Sequence, residues 1–396
     1  MSSLKVALRG FLNPCTILIC TWILYSFHWF EVAPGSVVDN FANPLLAFNL
    51  IVSFYIIFGP LRQQHLPLYF GAVRILIIWF SIYGLIAIVV GGEVYTQHGS
   101  LSSGSYLIGI LRSFLPMYAF YYFTKRGYLN ESTMKFWFFV LFFVFVYFNV
   151  LFSAIKMLEA SNGGFTNNLG YLFVSLIPFV YFFKNRFIQI GLLFAIMVFI
   201  VLAMKRGAIL IGTIASMLYV YWTLKNSKPI QWVSAIIVFM GVGIVAAHYL
   251  EIFYADNAYF QMRIEATMEG DSSNRDLISS SLLNWYVNKA NIFEQLFGAG
   301  ADATLSIYGL FAHNDWLEIL IDQGIIGVML YLWYWFLFYK NNKRYPKDSF
   351  EYMILTTILV SCFSRCFFSM SYNVIPVSTS LLMGYCLAQN NISSKR

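Results

Sequence analysis

The chain has 396 residues, of which 59% are hydrophobic, 19% aromatic and only 11% charged, with a formal net charge of +7 and a mean hydropathy of +0.68. A soluble domain carries about 25% charged residues, so this composition excludes an ordinary water-soluble fold and predicts an all-α polytopic membrane protein. The cationic excess might suggest nucleic acid, but its distribution along the chain argues against that partner.

Apolar runs of about 20 residues, the length a helix needs to cross a bilayer core, recur throughout. They predict about twelve spans, at roughly 11–30, 44–61, 72–92, 105–123, 135–155, 168–183, 187–204, 208–224, 231–250, 315–338, 353–370 and 374–389. Lys5 and Arg9 precede the first run, which is long and lacks a small-residue cleavage site, so it reads as a span and not as a cleaved signal. An even number of spans puts both termini on one side. With the termini cytoplasmic, the inner segments and their margins collect Arg62, Arg74, Lys125, Arg126, Lys184, Arg186, Lys225, Lys340, Lys343 and Arg344. The positive-inside rule therefore favours that orientation, and most of the positive charge is a topology signal. The lipid bilayer is the expected partner and nucleic acid is not. Cys15, Cys20, Cys362, Cys366 and Cys386 fall in apolar spans without zinc-like grouping and read as inert thiols.

Between spans nine and ten lies one long polar segment, 251–312, on the outer side. Within it, "DLISSSLLNWYVNKANIFEQLFG" has helical periodicity through Leu282, Trp285 or Tyr286, Lys289, Phe293 and Leu296. Asn274 is the expected N-cap and Gly298 the stop. No internal repeat is visible. The expected organisation is one membrane domain over 1–396, capped by the 251–312 loop.

The remaining cations sit on the outer side. Lys205 and Arg206 occupy the tight turn "AMKRGAIL", Arg112 lies roughly 10 Å down the fourth span at helical rise, and Arg365 lies about a turn below the outer end of the eleventh. Arg275 opens the loop helix, where a cation opposes the helix dipole unless an anion is also present. Arg112 and Arg365 have a bland reading as well, snorkelling or pairing with a buried carboxylate such as Glu318. Several arginines on one face nevertheless point to an anion site, since arginine forks and helix N-termini are what phosphate binding uses. His313 precedes Asn314 and an acidic helix start in which Asp315, Glu318 and Asp322 share one face. Its ordinary pKa near 6.5 suits proton transfer. Gly324 and Gly327 suggest close approach of a neighbouring helix, which is also the ordinary packing reading for such a pair.

His313-Asn314, nine residues, then Gly324-Ile325-Ile326-Gly327 resembles the H-N-x9-G-x-x-G signature of the O-antigen ligase and Wzy-type O-antigen polymerase superfamily. "MKRGAIL" resembles that family's arginine-bearing outer turn, with Lys205 where Ser or Thr is common. "NRDLISSSLLNWYVNKANIFEQLFGAGA" resembles its loop helix ending in a G-x-G turn; Trp285 falls later than in many relatives and is assigned no role. The resemblance implies a GT-C-like, about twelve-span glycosyltransferase of the bacterial inner membrane, working at the periplasmic face without metal or cofactor. Its donor would be an oligosaccharide on undecaprenyl diphosphate. A polymerase moves the growing glycan onto a second lipid-linked repeat unit, whereas a ligase moves it to lipid A-core, and the His-Asn-Asp start favours the polymerase. A flippase and a chain-length regulator are the expected protein partners. On this reading Arg206 and Arg275, then Lys205, Arg365 and Arg112, bind the diphosphate. His313 is the general base or orients the acceptor, with Asn314 and Glu318 in support. The rival class is a lipid-linked oligosaccharide flippase or other twelve-span transporter, in which repeat symmetry and polar groups at the midplane are expected instead.

Overall fold

The computed structural model describes residues 13–29, 40–91, 94–96, 99–159, 168–203, 205–225, 265 and 275–393. The predicted ninth span, 231–250, and Asn274 lie outside the described residues. The helices are α1 (Pro14–Trp29), α2 (Ala42–Phe58), α3 (Leu68–Val90), α4 (Ser105–Lys125), α5 (Glu131–Glu159), α6 (Gly170–Val174), α7 (Arg186–Leu202) and α8 (Arg206–Lys225). After the undescribed stretch come α9 (Arg275–Asn288), α10 (Ile292–Phe297), α11 (Ala303–Tyr308), α12 (Asp315–Asn342), α13 (Phe350–Arg365) and α14 (Val377–Ser393). One two-stranded hairpin, β1 (Val94–Thr96) antiparallel to β2 (Gly99–Leu101), links α3 to α4.

Among the described residues, four helical stretches are long and apolar enough to cross a membrane: Leu68–Val90, Glu131–Val150, Arg206–Lys225 and Asp315–Asn342. Several shorter apolar helices accompany them, among them Ala42–Phe58 and Arg186–Leu202. Along α3, Ile78, Ile82, Leu85, Ile86, Val89 and Val90 are exposed. An apolar helix that also turns apolar side chains outward is stable where lipid, not water, surrounds it. The interior is aromatic. Tyr69, Phe70, Phe80, Tyr118, Phe120 and Phe138 are fully buried, and α4 runs between α14, α2 and α3. Helix α12 packs against α3, α10 and α13.

Three elements depart from the sequence expectation, each for a local reason. The span expected over 168–183 is a single α turn followed by a 3-10 turn at Ile177–Phe182, because Pro178 lacks the N–H that would continue the α ladder. The single loop helix is two helices. Asn291 accepts from the amides of Phe293 and Glu294 while Glu294 accepts from the Asn291 amide, a capping box that starts α10 anew. The break turns Phe293 outward, while Ile278 and Leu282 of α9 stay buried. Gly298 ends α10 with φ +80, the expected stop. Finally, α13 and α14 are separated by an irregular connector over 366–376, longer than the predicted spans leave.

Candidate functional site

The two glycine pairs of the sequence form one joint. At Gly324 the backbone of α12 leaves helical geometry, with φ 66 and ψ −168. A helix broken there leaves carbonyls one turn earlier without partners. Those of Ile321 and Asp322 accept instead from the amides of Ala299 (2.9 Å) and Gly300 (3.0 Å). The approach is too close for side chains. A Cβ on Gly324 would lie 2.4 Å from the Leu296 carbonyl, and one on Gly298 would lie 2.2 Å from the Asp322 carbonyl carbon. What comes close at Gly324 is thus the C-terminal end of the neighbouring helix α10, at Leu296 and Phe297, the close helix approach that the sequence suggested. A Cβ on Gly327 would meet Gln323 of its own helix.

The acidic face of α12 is fully buried at Asp315, Glu318 and Asp322, and its carboxylates hold chain segments. Asp315 accepts from the Ser371 amide at 2.6 Å, from the Ser371 hydroxyl, and from the Tyr331 hydroxyl at 2.9 Å. Glu318 accepts from the Thr304 hydroxyl and from the Ala312 amide at 2.7 Å, bracketing the 304–312 segment. Asp322 accepts from the Ala303 amide at 2.9 Å. Asn314 caps α12, its side chain accepting from the amides of Trp316 and Leu317.

Beside this scaffold opens a cavity of about 400 Å³. Its walls come from α1 (Trp22, Tyr25), α4 (Tyr106, Arg112), α5 (Phe145) and the 366–376 connector. Asp302, Phe311, His313 and Arg365 line it from the loop end of α12 and the end of α13. Arg112 donates to the Asn373 carbonyl at 3.1 Å; Arg365 donates to the Val374 (3.3 Å) and Met370 (3.5 Å) carbonyls and stacks 4.5 Å over the Tyr171 ring. Both arginines therefore hold the connector through main-chain carbonyls.

The turn bearing Lys205 and Arg206 lies against Gly170 and Tyr171. A Cβ on Gly207 would meet the Tyr171 hydroxyl at 2.4 Å, and one on Gly170 would meet Lys205 Cβ at 3.6 Å. Arg275 and Arg365 both act electrostatically on Tyr171. His313 is partly buried with φ +53. Burial, together with the charges of Lys205 and Arg275, pulls its pKa from about 6.5 down to about 4. The imidazole is thus neutral at neutral pH.

Of the residues singled out in the sequence, Lys205 and Arg275 act electrostatically on His313, Arg365 and Arg275 act on Tyr171, and Arg206 opens α8 beside Lys205. Arg112 reaches the cavity from another wall. Asn314 and Glu318 do not line it; they fix the loop that carries His313. Sequence reasoning passed over Tyr171 and, above all, Asp302, which is 8% exposed and faces the cavity. The signal for Asp302 was its place two residues after the Gly298-Ala299-Gly300 turn. Together these features define a predominantly helical protein with membrane-length apolar helices and a mainly apolar cavity into which Arg112, Arg365, His313 and Asp302 project. Compared with known proteins, the chain matches no family model and no curated protein.

Proposed function

We propose that this chain is an O-antigen or surface-polysaccharide polymerase. It would transfer a glycan from undecaprenyl diphosphate onto a second lipid-linked repeat unit at the periplasmic face of a bacterial inner membrane, with about twelve spans and both termini cytoplasmic. The observation that carries this reading is that His313 lines one cavity with Arg112 and Arg365 while the charges of Lys205 and Arg275 act on its imidazole. Glycosyl transfer from a lipid diphosphate needs cations where negative charge develops as the sugar–phosphate bond breaks. It also needs an acceptor hydroxyl held in line with the anomeric carbon. A neutral imidazole donates from one ring nitrogen and accepts at the other, so it suits orientation of that hydroxyl. The aromatic wall of Trp22, Tyr25 and Phe145 offers faces for sugar rings and prenyl carbon.

The test is genetic and biochemical. Deletion of the gene should leave surface lipopolysaccharide capped with one repeat unit on a gel; a wholly uncapped core would identify a ligase, and an unchanged ladder would contradict both. His313→Ala and Arg275→Ala should each abolish chain extension with expression and membrane insertion intact. A reporter fused after Ser279 should read periplasmic, and a cytoplasmic signal would reverse the orientation.

A further inference from the structure

Among the described residues, two that are not glycine have a left-handed backbone, Asp302 (φ 54) and His313 (φ 53), and both line the same cavity. Left-handed geometry costs an L-residue about 1–2 kcal/mol, and such strain concentrates at functional sites. Asp302 also differs from every other buried carboxylate at this end of the molecule. Those of α12 each accept at least one hydrogen bond, from Ser371, Tyr331, Thr304, Ala312 or Ala303, although Oδ2 of Asp322 has no partner, whereas the Asp302 carboxylate accepts none among the described residues. The Asp302 carboxylate opens onto the cavity without a donor from the described residues, which leaves it available to whatever fills that space. The groups facing it are Glu318 and Asp322 from α12, Tyr106 from α4 and Tyr372 from the connector. Arg112, His313 and Arg365 line the same cavity.

We propose that Asp302 is the catalytic residue that accepts the proton of the attacking sugar hydroxyl, while His313, across the same cavity, orients that hydroxyl. This rests on the glycosyl-transfer reading above. In the step, the acceptor oxygen bonds to the anomeric carbon of the donor. The bond from that carbon to the diphosphate oxygen breaks, and its electron pair leaves with the lipid diphosphate among the cations. The hydroxyl proton passes to Asp302 and then to water, which restores the carboxylate. Burial raises the Asp302 carboxyl to about 6, near the ambient pH that favours a general base, whereas His313 near 4 is a poor proton acceptor.

The test uses membranes containing the full-length protein, with lipid-linked repeat units from the same strain as donor and acceptor. Asp302→Asn keeps the size and tolerates the left-handed backbone, so it removes the proton acceptor alone. It should elongate glycan at least about 100-fold more slowly, the low end of what a general base contributes. The wild-type rate should fall about tenfold per pH unit below about pH 6. Asp302→Gly, which relieves the backbone, should be at least as heat-stable as wild type and equally slow. Elongation by either variant within threefold of wild type would overturn the assignment, as would an acid limb that persists unchanged in Asp302→Asn. Wild-type membranes that transfer no glycan would instead defeat the glycosyl-transfer reading itself.

Discussion

The acidic face of α12 and the cavity beside it are a few residues apart in sequence, equally rich in ionisable groups, and opposite in character. On the helix, each carboxylate is bonded to a specific amide or hydroxyl of another segment: Asp315 to Ser371 and Tyr331, Glu318 to Thr304 and Ala312, Asp322 to Ala303. In the cavity, neither Asp302 nor His313 makes a side-chain hydrogen bond among the described residues, and both sit on strained backbone. Buried polar groups are ordinarily satisfied. The first set is therefore architecture, and the second is held ready by it.

Breaking the architecture should produce the largest effects. Gly324→Val and Gly298→Val would each place a side chain inside the joint between α12 and residues 296–300, the end of α10 and the turn after it, at a positive φ as well. Each should cost more than about 4 kcal/mol, and no monodisperse protein should survive detergent extraction and size exclusion. Gly91 provides the contrast, with φ +68 but nothing within 4 Å of an added Cβ. Gly91→Ala should lose only the backbone cost of its positive φ, about 1–3 kcal/mol. Equal losses at Gly91 and Gly324 would mean that close approach is not what the glycines of α12 serve.

Asp315→Ala comes next. It strands the Ser371 amide, the Ser371 hydroxyl and the Tyr331 hydroxyl in a dry interior, and leaving such donors unmade costs about 1–3 kcal/mol each. A loss of about 3 kcal/mol should appear as a marked fall in the unfolding temperature of the solubilised protein. Asp315→Asn still accepts through its amide oxygen and should lose less. If both variants unfold like wild type, the connector is not held by this carboxylate.

Much of this was legible in the sequence, and the missed parts share a cause. Spacing alone put Asp315, Glu318 and Asp322 on one face, flagged Gly324, and located the stop at Gly298, because these depend on helical period and on backbone geometry that favours glycine. Spacing could not say what each acid would meet. Glu318 was read as supporting the acceptor, yet its position is fixed by Thr304 and the Ala312 amide, contacts that exist only once the loop folds back on α12. The sequence offers Arg112 and Arg365 as anion ligands; that they also hydrogen-bond connector carbonyls stays hidden until 366–376 is known to be irregular. Asp302 looked like one more loop acid, since nothing local distinguishes a solvated aspartate from one turned into a cavity. The break at Pro178, by contrast, was present in the sequence and was overlooked beneath the apolar run.

The smallest effect on stability should come from the cations facing His313, and it sharpens the contrast most. Lys205 and Arg275 lower the proton affinity of the imidazole by charge alone, without bonding it. Replacing them with methionine should raise the His313 pKa from about 4, with burial, the larger cause, keeping it below its ordinary 6.5. Diethylpyrocarbonate modifies only the neutral ring, so mass spectrometry of the His313 peptide after brief labelling reads the titration directly. In the wild type, labelling should persist as the pH falls to about 5; in the Lys205→Met, Arg275→Met protein it should begin to decline at a higher pH. Identical profiles would place those two charges too far from His313 to act on a diphosphate held beside it. A displaced profile, with the heat stability unchanged, would mark Lys205 and Arg275 as charges directed into the cavity and not into the fold.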